Sequence, residues 1–147
     1  RTVGVGLTSC IVPANGQPTF TLPDDEMEIG LGIHGEPGIK RVKARGIDSV
    51  IDEIVESILA DLDYKGSDVA LLVNGLGGSP AEELYVVYRR VKQICDANSI
   101  NIRFKHVGEQ VTALEMAGVS VSLMRLDTEM HDLITNSVVD TCMYKKI

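Results

Sequence analysis

Hydrophobic residues along the chain follow a period of two in some stretches and a helical period in others. Residues 2–12 place Val, Leu and Ile among glycines, which predicts a strand. Residues 26–33 alternate strictly, with one apolar face formed by Met27, Ile29, Leu31 and Ile33. The opposite face carries Glu28, Gly30, Gly32 and, one step further, His34. This alternation predicts a strand with one buried face.

Helical spacing is clearest over residues 46–62, where the apolar positions are Ile47, Val50, Ile51, Ile54, Val55, Ile58, Leu59 and Leu62. Asp48 is the expected N-cap of this helix. A second helix is expected over residues 79–97. Ser79 and Glu82 have the spacing of a capping box at its start.

The remaining pattern completes an α+β fold. Further elements are expected as strands over 69–73, 100–107 and 119–126, a short helical turn over 111–116, and a last helix that begins at Asp127 or Thr128. Because the early strands lack crossover helices, we predict a mixed, largely antiparallel sheet with helices packed on one face. A doubly wound parallel sheet is the alternative. No long linker divides the chain, so residues 1–147 are expected to form a single domain.

Composition narrows the functional classes. A net charge of −7 argues against a nucleic-acid partner and against an anionic membrane surface. No apolar run approaches the roughly 18 residues of a membrane span. The three cysteines have no metal-ligand spacing and leave one thiol over in any pairing, which favours a reduced, cytoplasmic setting. The start at Arg1, without an initiator Met, indicates a piece of a longer chain.

Several candidate motifs favour structural interpretations. The loop Asn74-Gly-Leu-Gly-Gly78 lacks the Lys of a nucleotide-binding loop, and acidic residues follow in the first turn of the next helix, so we interpret it as a tight strand-to-helix turn. His106 and His131 have ordinary strand and helix settings. No histidine or cysteine pair has zinc-ligand spacing, so no metal site is predicted.

His34 stands apart because it lies in the stretch Gly-Ile-His-Gly-Glu-Pro-Gly, residues 32–38. Gly30 and Gly32 leave room for a ligand to approach, and Gly35 and Gly38 permit backbone angles closed to other residues. Glu36 could accept the proton of one ring nitrogen. Two interpretations are open at this point. The imidazole is either functional or a loop histidine hydrogen-bonded to the backbone.

Three segments resemble the substrate-binding subunit of dihydroxyacetone kinases. They are EMEIGLGIHGEPGI (26–39), LLVNGLGGSPAEELYVVYRRV (71–91) and VTALEMAGVSVSLMRLD (111–127). Their order and spacing fit the second half of that subunit, so the resemblance implies that a first domain is missing. Gln110, Ala113 and Val119 depart from the family pattern and leave the subfamily open.

The resemblance implies a role for the histidine. In this family the equivalent of His34 bonds covalently to the substrate ketone as a hemiaminal, with Gly32, Gly35 and Glu36 as neighbouring substrate-binding residues. The substrate would be dihydroxyacetone or a related short ketose, within glycerol metabolism. No cofactor is expected in this chain, since ATP or ADP and magnesium would reside on a separate helical nucleotide-binding subunit. A homodimer is also implied.

The resemblance leaves three functional alternatives. The favoured one is a kinase supplied by a phosphoenolpyruvate phosphorelay of the phosphotransferase system. A single-chain ATP-dependent triose or tetrulose kinase is the second. The third is a catalytically inactive, ligand-sensing coactivator of a transcription regulator, which would need the same histidine.

Overall fold

The computed structural model describes residues 1–33, 36–140 and 145–146. The strands are β1 (Thr2–Gly6), β2 (Ile11–Val12), β3 (Gln17–Pro18), β4 (Glu26–Ile29), β5 (Lys40–Lys43), β6 (Asp68–Gly75), β7 (Asn101–Gly108), β8 (Gly118–Arg125), β9 (Val139–Asp140) and β10 (Lys145–Lys146). The helices are α1 (Ile47–Asp61), α2 (Ala81–Ala97) and α3 (Thr128–Asn136). The helices and the strands predicted over 69–73, 100–107 and 119–126 form with their ends shifted by a few residues. The strand predicted over residues 2–12 is wrong beyond Gly6, because the chain leaves the sheet there and Ile11–Val12 pairs separately with β3.

Six strands form one sheet in the order β5-β4-β1-β8-β6-β7. The pairs β4–β5, β1–β4, β1–β8 and β6–β8 are antiparallel, and β6–β7 is parallel. The parallel pair is the one joined by a helix, α2, because parallel neighbours need a crossover connection. The predicted α+β fold with a mixed, largely antiparallel sheet is confirmed, and the doubly wound alternative is wrong.

The main core lies between one face of the sheet and helices α1 and α2. Alternate strand residues point into it, among them Val5, Val69, Leu71, Val73, Val119 and Val121. From α1 it receives Val50, Ile51, Ile54, Val55 and Ile58. Fully burying each such aliphatic side chain contributes roughly 1.5–3 kcal/mol. The amphipathic spacing of residues 46–62 therefore predicts the buried side of α1 correctly.

The predicted strand over residues 26–33 is wrong beyond Ile29. Gly30 adopts a left-handed backbone with φ of +81° and turns the chain out of the strand. Leu31 then leaves the main core and joins a second cluster with Cys10, Leu76, Ala113 and Met116. We call the sheet face opposite α1 and α2 the open face, and this second cluster lies on it.

Three local predictions also fail. Gly46, not Asp48, is the N-cap of α1. Ser79 does not form a capping box, because its hydroxyl donates to the carbonyl of Gly118 at 2.7 Å and accepts the Gly118 N–H at 2.9 Å. Residues 111–116 form no helical turn, and Leu114 has a φ of +57°. The predicted cap of α3 is correct, since Asp127 accepts the N–H of Met130 at 2.8 Å.

Asn74 joins the sheet to the loop that precedes β8. Its carbonyl oxygen accepts the N–H groups of Gln110 and Val111, both at 2.9 Å. Its amide donates to the carbonyl of Val111 at 2.9 Å and to the hydroxyl of Ser120 at 3.2 Å. The side chain is 1% exposed. Four hydrogen bonds thus satisfy a buried amide whose unpaired groups would be costly.

We predict that Asn74→Ala lowers the free energy of unfolding by about 2–3 kcal/mol, because two backbone N–H groups lose their acceptor. Asn101→Ala is the matched control, since Asn101 is exposed and donates to the carboxylate of Asp68. It should change the free energy by less than about 0.5 kcal/mol. Urea denaturation followed by circular dichroism measures both, and equal effects would contradict the assignment.

Candidate functional site

The open face of the sheet carries two glycines, Gly4 and Gly6, on the central strand β1. Their neighbours on the other face are valines. A methyl group on Gly4 would approach the carbonyl oxygen of Leu31 to 3.1 Å, and one on Gly6 would approach its Cδ1 to 3.0 Å. The missing side chains therefore let the chain's own segment after β4 cross the sheet closely.

This crossing begins a loop, residues 30–39, whose two ends are both tied to the sheet. Gly30 donates its N–H to the carbonyl of Gly4 at 2.7 Å. At the far end, Ile39 donates to the carbonyl of Ile29 at 2.8 Å. Gly38 donates to a carboxylate oxygen of Glu28 at 2.6 Å. The loop leaves β4 and returns to it, so both of its ends are fixed to the same strand.

Two of the predicted site residues lie together in the middle of this loop. The N–H of Gly32 donates to the carbonyl of Glu36 at 3.2 Å, which brings these two residues together. A methyl group on Gly32 would overlap the Glu36 carboxylate, whose Cδ lies 2.8 Å from that position. Glu36 therefore folds back over Gly32. The other two predicted residues, His34 and Gly35, lie outside the described residues.

A cavity of about 480 Å³ lies beside the loop on the open face. Its described lining comes from four parts of the chain: Thr2, Val3 and Gly4; Gly30, Leu31, Gly32, Ile33, Glu36, Pro37 and Ile39; Leu76; and Ser120. Among these described residues there is one carboxylate and no basic side chain. The lining thus combines a carboxylate with hydroxyl-bearing and apolar residues, a mixture typical of small-ligand sites.

The second cluster supports the base of the loop. It brings Leu31, Leu76 and Met116 into contact, and each belongs to a different one of the three characteristic segments. The contacts are apolar and well buried, which fixes the relative positions of the segments. The three segments are therefore neighbours in space and form one structural unit around the cavity.

The glycine-rich loop after β6 has the structural role that we predicted for it. A methyl group on Gly78 would lie 2.6 Å from the carbonyl oxygen of Glu115, and Gly77 has a φ of +120°. Gly78 also donates its N–H to the carbonyl of Met116 at 2.8 Å. The close approach that these glycines permit is thus used by the chain itself, which leaves no cradle for a phosphate group at Gly77 and Gly78.

Other candidate chemistry is weak in the described part of the chain. Burial raises the pKa of the Cys95 thiol to about 11, so it stays protonated at neutral pH. Within residues 1–33, 36–140 and 145–146, no group of three His, Cys, Asp or Glu side chains could hold a metal ion. None of the helices in those ranges combines the length and apolar character needed to cross a membrane.

Three residues at or near the site, Gly4, Ser120 and Glu28, are not among those predicted from the sequence. Gly4 was included only as part of a strand, although the alternation of Val3, Gly4 and Val5 is a signal for one bare face. Ser120 and Glu28 are buried polar side chains, at 4% and 8% exposure. Their burial depends on contacts between distant segments, which periodicity does not reveal.

The chain belongs to the Dak1 domain family, which it matches over residues 1–142. It is 40% identical over 144 residues to a protein of Listeria innocua called "PTS-dependent dihydroxyacetone kinase 2, dihydroxyacetone-binding subunit DhaK". That match covers 97% of this chain and 43% of the relative. An "L-erythrulose kinase" of Pectobacterium atrosepticum is 39% identical over 136 residues, which cover 89% of this chain and 23% of the relative. The chain thus spans less than half of these curated relatives.

Solved structures give the same fold. A "Dihydroxyacetone kinase operon co-activator Dha-DhaQ" superposes with a TM-score of 0.82 at 31% identity, covering 89% of this chain and 41% of that chain. The dihydroxyacetone kinase from C. freundii, solved with AMP-PNP and Mg²⁺, superposes with a TM-score of 0.77 at 28% identity. It covers 92% of this chain and 25% of that chain. The family and fold that the three sequence segments predicted are therefore confirmed.

We predict that Gly30→Ala destabilises the protein by about 2 kcal/mol. Part of this is the left-handed backbone, which costs a residue with a side chain about 1 kcal/mol. The rest is crowding, because the new methyl group would lie 2.6 Å from Cγ1 of Ile39. Thermal and urea denaturation measure the effect.

Gly66→Ala separates these two contributions. Gly66 has a φ of +70° and no heavy atom within 4 Å of the added methyl position. This variant should cost about 1 kcal/mol. Adding Ile39→Ala to Gly30→Ala should recover about the same value, because Ile39 is 81% exposed and loses little by truncation. A double variant as unstable as Gly30→Ala would refute the crowding.

Proposed function

We propose that His34 holds a short ketose, dihydroxyacetone first, as a covalent hemiaminal, and that the protein presents it for phosphorylation. The observation that supports this most directly concerns the neighbours of His34 in sequence. Gly32, Ile33 and Glu36 line the cavity of about 480 Å³, and a hydrogen bond joins Gly32 to Glu36. Membership of the Dak1 domain family and the names of its relatives support the substrate class.

The proposed bond follows from the chemistry of a neutral imidazole. The lone pair of one ring nitrogen adds to the carbonyl carbon, and the C=O π pair moves onto the oxygen. That oxygen takes up a proton while the other ring nitrogen releases one, so the adduct is neutral overall. An unperturbed imidazole has a pKa of about 6.5 and is mostly neutral at cytoplasmic pH. Glycerol has no carbonyl group and forms no such bond.

Glu36 and Gly35 have supporting roles in this proposal. The carboxylate of Glu36 would accept the N–H of the second ring nitrogen and so select the tautomer with a free lone pair. Glu36 lines the cavity, and its carboxylate folds over Gly32. Gly32 and Gly35 would allow the substrate to approach the ring closely, since neither carries a side chain. A substrate fixed in this way has its terminal hydroxyl oriented for transfer.

The nucleotide and magnesium belong elsewhere in this proposal. In the described residues the glycine-rich loop packs against residues 114–117, and no cluster of three acidic or imidazole ligands is found. The residues present do not fit a nucleotide site. We therefore place ATP or ADP and magnesium on a separate helical subunit or domain, with a further domain of the same chain completing the substrate pocket.

The names of the relatives support a choice of phosphoryl donor. Because a relative at 40% identity is called a PTS-dependent kinase subunit, a phosphoenolpyruvate phosphorelay is our first choice. Relatives called erythrulose kinases support a tetrulose as the alternative substrate. We keep a single-chain ATP-dependent kinase as the alternative organisation. In either case we propose a cytoplasmic homodimer.

We predict that the full-length protein forms a reversible adduct with dihydroxyacetone at neutral pH, and that His34→Asn or His34→Ala abolishes it. Neither replacement has a ring nitrogen that can add to the ketone. Intact-protein mass spectrometry measures the mass increase, and glycerol serves as the unreactive ligand. His131→Asn is the matched control, because His131 is exposed on α3. An adduct that persists in both His34 variants would refute the covalent role.

A second candidate function is ligand sensing without phosphoryl transfer. It is supported by the coactivator, which superposes with the higher TM-score, 0.82 against 0.77 for the kinase. We expect kinase activity instead, because a relative called a kinase subunit is 40% identical to this chain.

Turnover separates these two functions. The full-length protein is mixed with its nucleotide-binding partner and a phosphoryl donor, and dihydroxyacetone phosphate is assayed. We predict steady formation of product, and its loss in His34→Asn. Adduct formation without any product, with both phosphoenolpyruvate relay and ATP supplied, would support the sensor and contradict the kinase.

A further inference from the structure

Glu28 carries the only buried carboxylate among the described residues, with 8% exposure. It lies on β4, opposite Arg41 of β5 and Gly6 of β1. Burying an ionised group is costly unless hydrogen bonds and an opposite charge compensate. The contacts that offset the cost of burying Glu28 therefore indicate what this residue does.

The closest of these contacts is to the loop of residues 30–39. One carboxylate oxygen accepts the N–H of Gly38 at 2.6 Å, and the other lies 3.4 Å from the guanidinium of Arg41. A methyl group on Gly38 would lie 2.5 Å from Cγ of Glu28 and 2.7 Å from the carbonyl oxygen of Ile29. Gly38 thus packs closely against Glu28 and Ile29 at the end of β4, where no side chain fits.

This contact controls where the loop returns to the sheet. Gly38 follows Pro37, whose ring fixes the backbone angle φ, so a shift at Gly38 is passed on to Glu36. The carbonyl of Glu36 in turn accepts the N–H of Gly32. A short chain of rigid contacts therefore connects the Glu28 carboxylate to the residues that flank His34.

We infer that Glu28 is a positioning residue for the substrate-binding histidine, acting through the N–H of Gly38. The inference rests on the proposed function of His34 and adds a residue to it. A carboxylate is a stronger acceptor than a neutral group, and the guanidinium of Arg41, 3.4 Å from its other oxygen, helps to orient it. Misplacement of a reacting group by about 1 Å can slow a reaction about a hundredfold, so the rate of adduct formation is a sensitive measure of this role.

The test compares replacements of equal length in the full-length protein. Glu28→Gln keeps a carbonyl oxygen that can accept the Gly38 N–H, whereas Glu28→Met keeps the length but offers no comparable acceptor. Glu28→Asp keeps the carboxylate but is one methylene too short to reach Gly38. It replaces the Met variant in the test if that variant does not fold. Glu26→Met is the matched control, because Glu26 lies on the same strand and face and pairs with Lys43.

Two measurements are made on each variant. Hydrogen exchange, followed by mass spectrometry of peptides covering residues 30–39, should be roughly tenfold faster in Glu28→Met or Glu28→Asp and near wild type in Glu28→Gln. The rate of adduct formation with dihydroxyacetone should fall at least roughly tenfold in the same two variants, with Glu28→Gln rescuing most of it. Glu26→Met should change neither.

The outcomes separate the inference from the function on which it rests. If His34→Asn loses the adduct but Glu28→Met and Glu28→Asp react at the wild-type rate, the positioning role is wrong and the function stands. Equal defects in Glu28→Gln and Glu28→Met would overturn the hydrogen bond to Gly38 as the cause. If His34→Asn still forms the adduct, the proposed function fails, and the inference fails with it whatever the exchange rates show.

Discussion

The left-handed backbone at Gly30 is the constraint on which the site depends. At this residue the chain stops pairing as β4 and crosses the open face, where the N–H of Gly30 reaches the carbonyl of Gly4 at 2.7 Å. Had the strand continued, Leu31 would have stayed in line with Met27 and Ile29. The turn instead sends Leu31 to the second cluster and places Gly32, Ile33, Glu36 and Pro37 beside the cavity.

The two faces of the sheet are built for different purposes. The face under α1 and α2 is aliphatic and tightly packed, and it supplies most of the buried apolar area. The open face carries glycines and small polar residues, including Ser120, whose hydroxyl accepts a hydrogen bond from Asn74. A surface of this kind stabilises little by itself, but it allows backbone and ligand to come close. The main core and the candidate cavity thus lie on opposite sides of one sheet.

Much of the fold could be predicted from the sequence, because helix α1 and the long strands have strong periodicity. The failures share a physical cause. Gly30 allows both extended and left-handed backbones, so alternation alone could not show that the strand ends at Ile29. Ser79 and Glu82 have capping-box spacing, yet the Ser79 hydroxyl bonds to Gly118, which is distant in sequence. The role of Glu28 depends on a backbone N–H ten residues away, which no local pattern encodes.

The position of β1 in the sheet has a consequence for how the protein folds. This first strand lies in the interior of the sheet, between β4 and β8, and pairs Thr2 with Ser122. Nearly the whole chain separates these two partners, and closing so long a loop is a slow, entropically costly step. During synthesis the edge of β1 that pairs with β8 stays unpaired until β8 has left the ribosome. Gly4 and Gly6, which make room for the loop in the folded protein, also lower the β-propensity of this strand. That limits the tendency of its unpaired edge to pair with other chains.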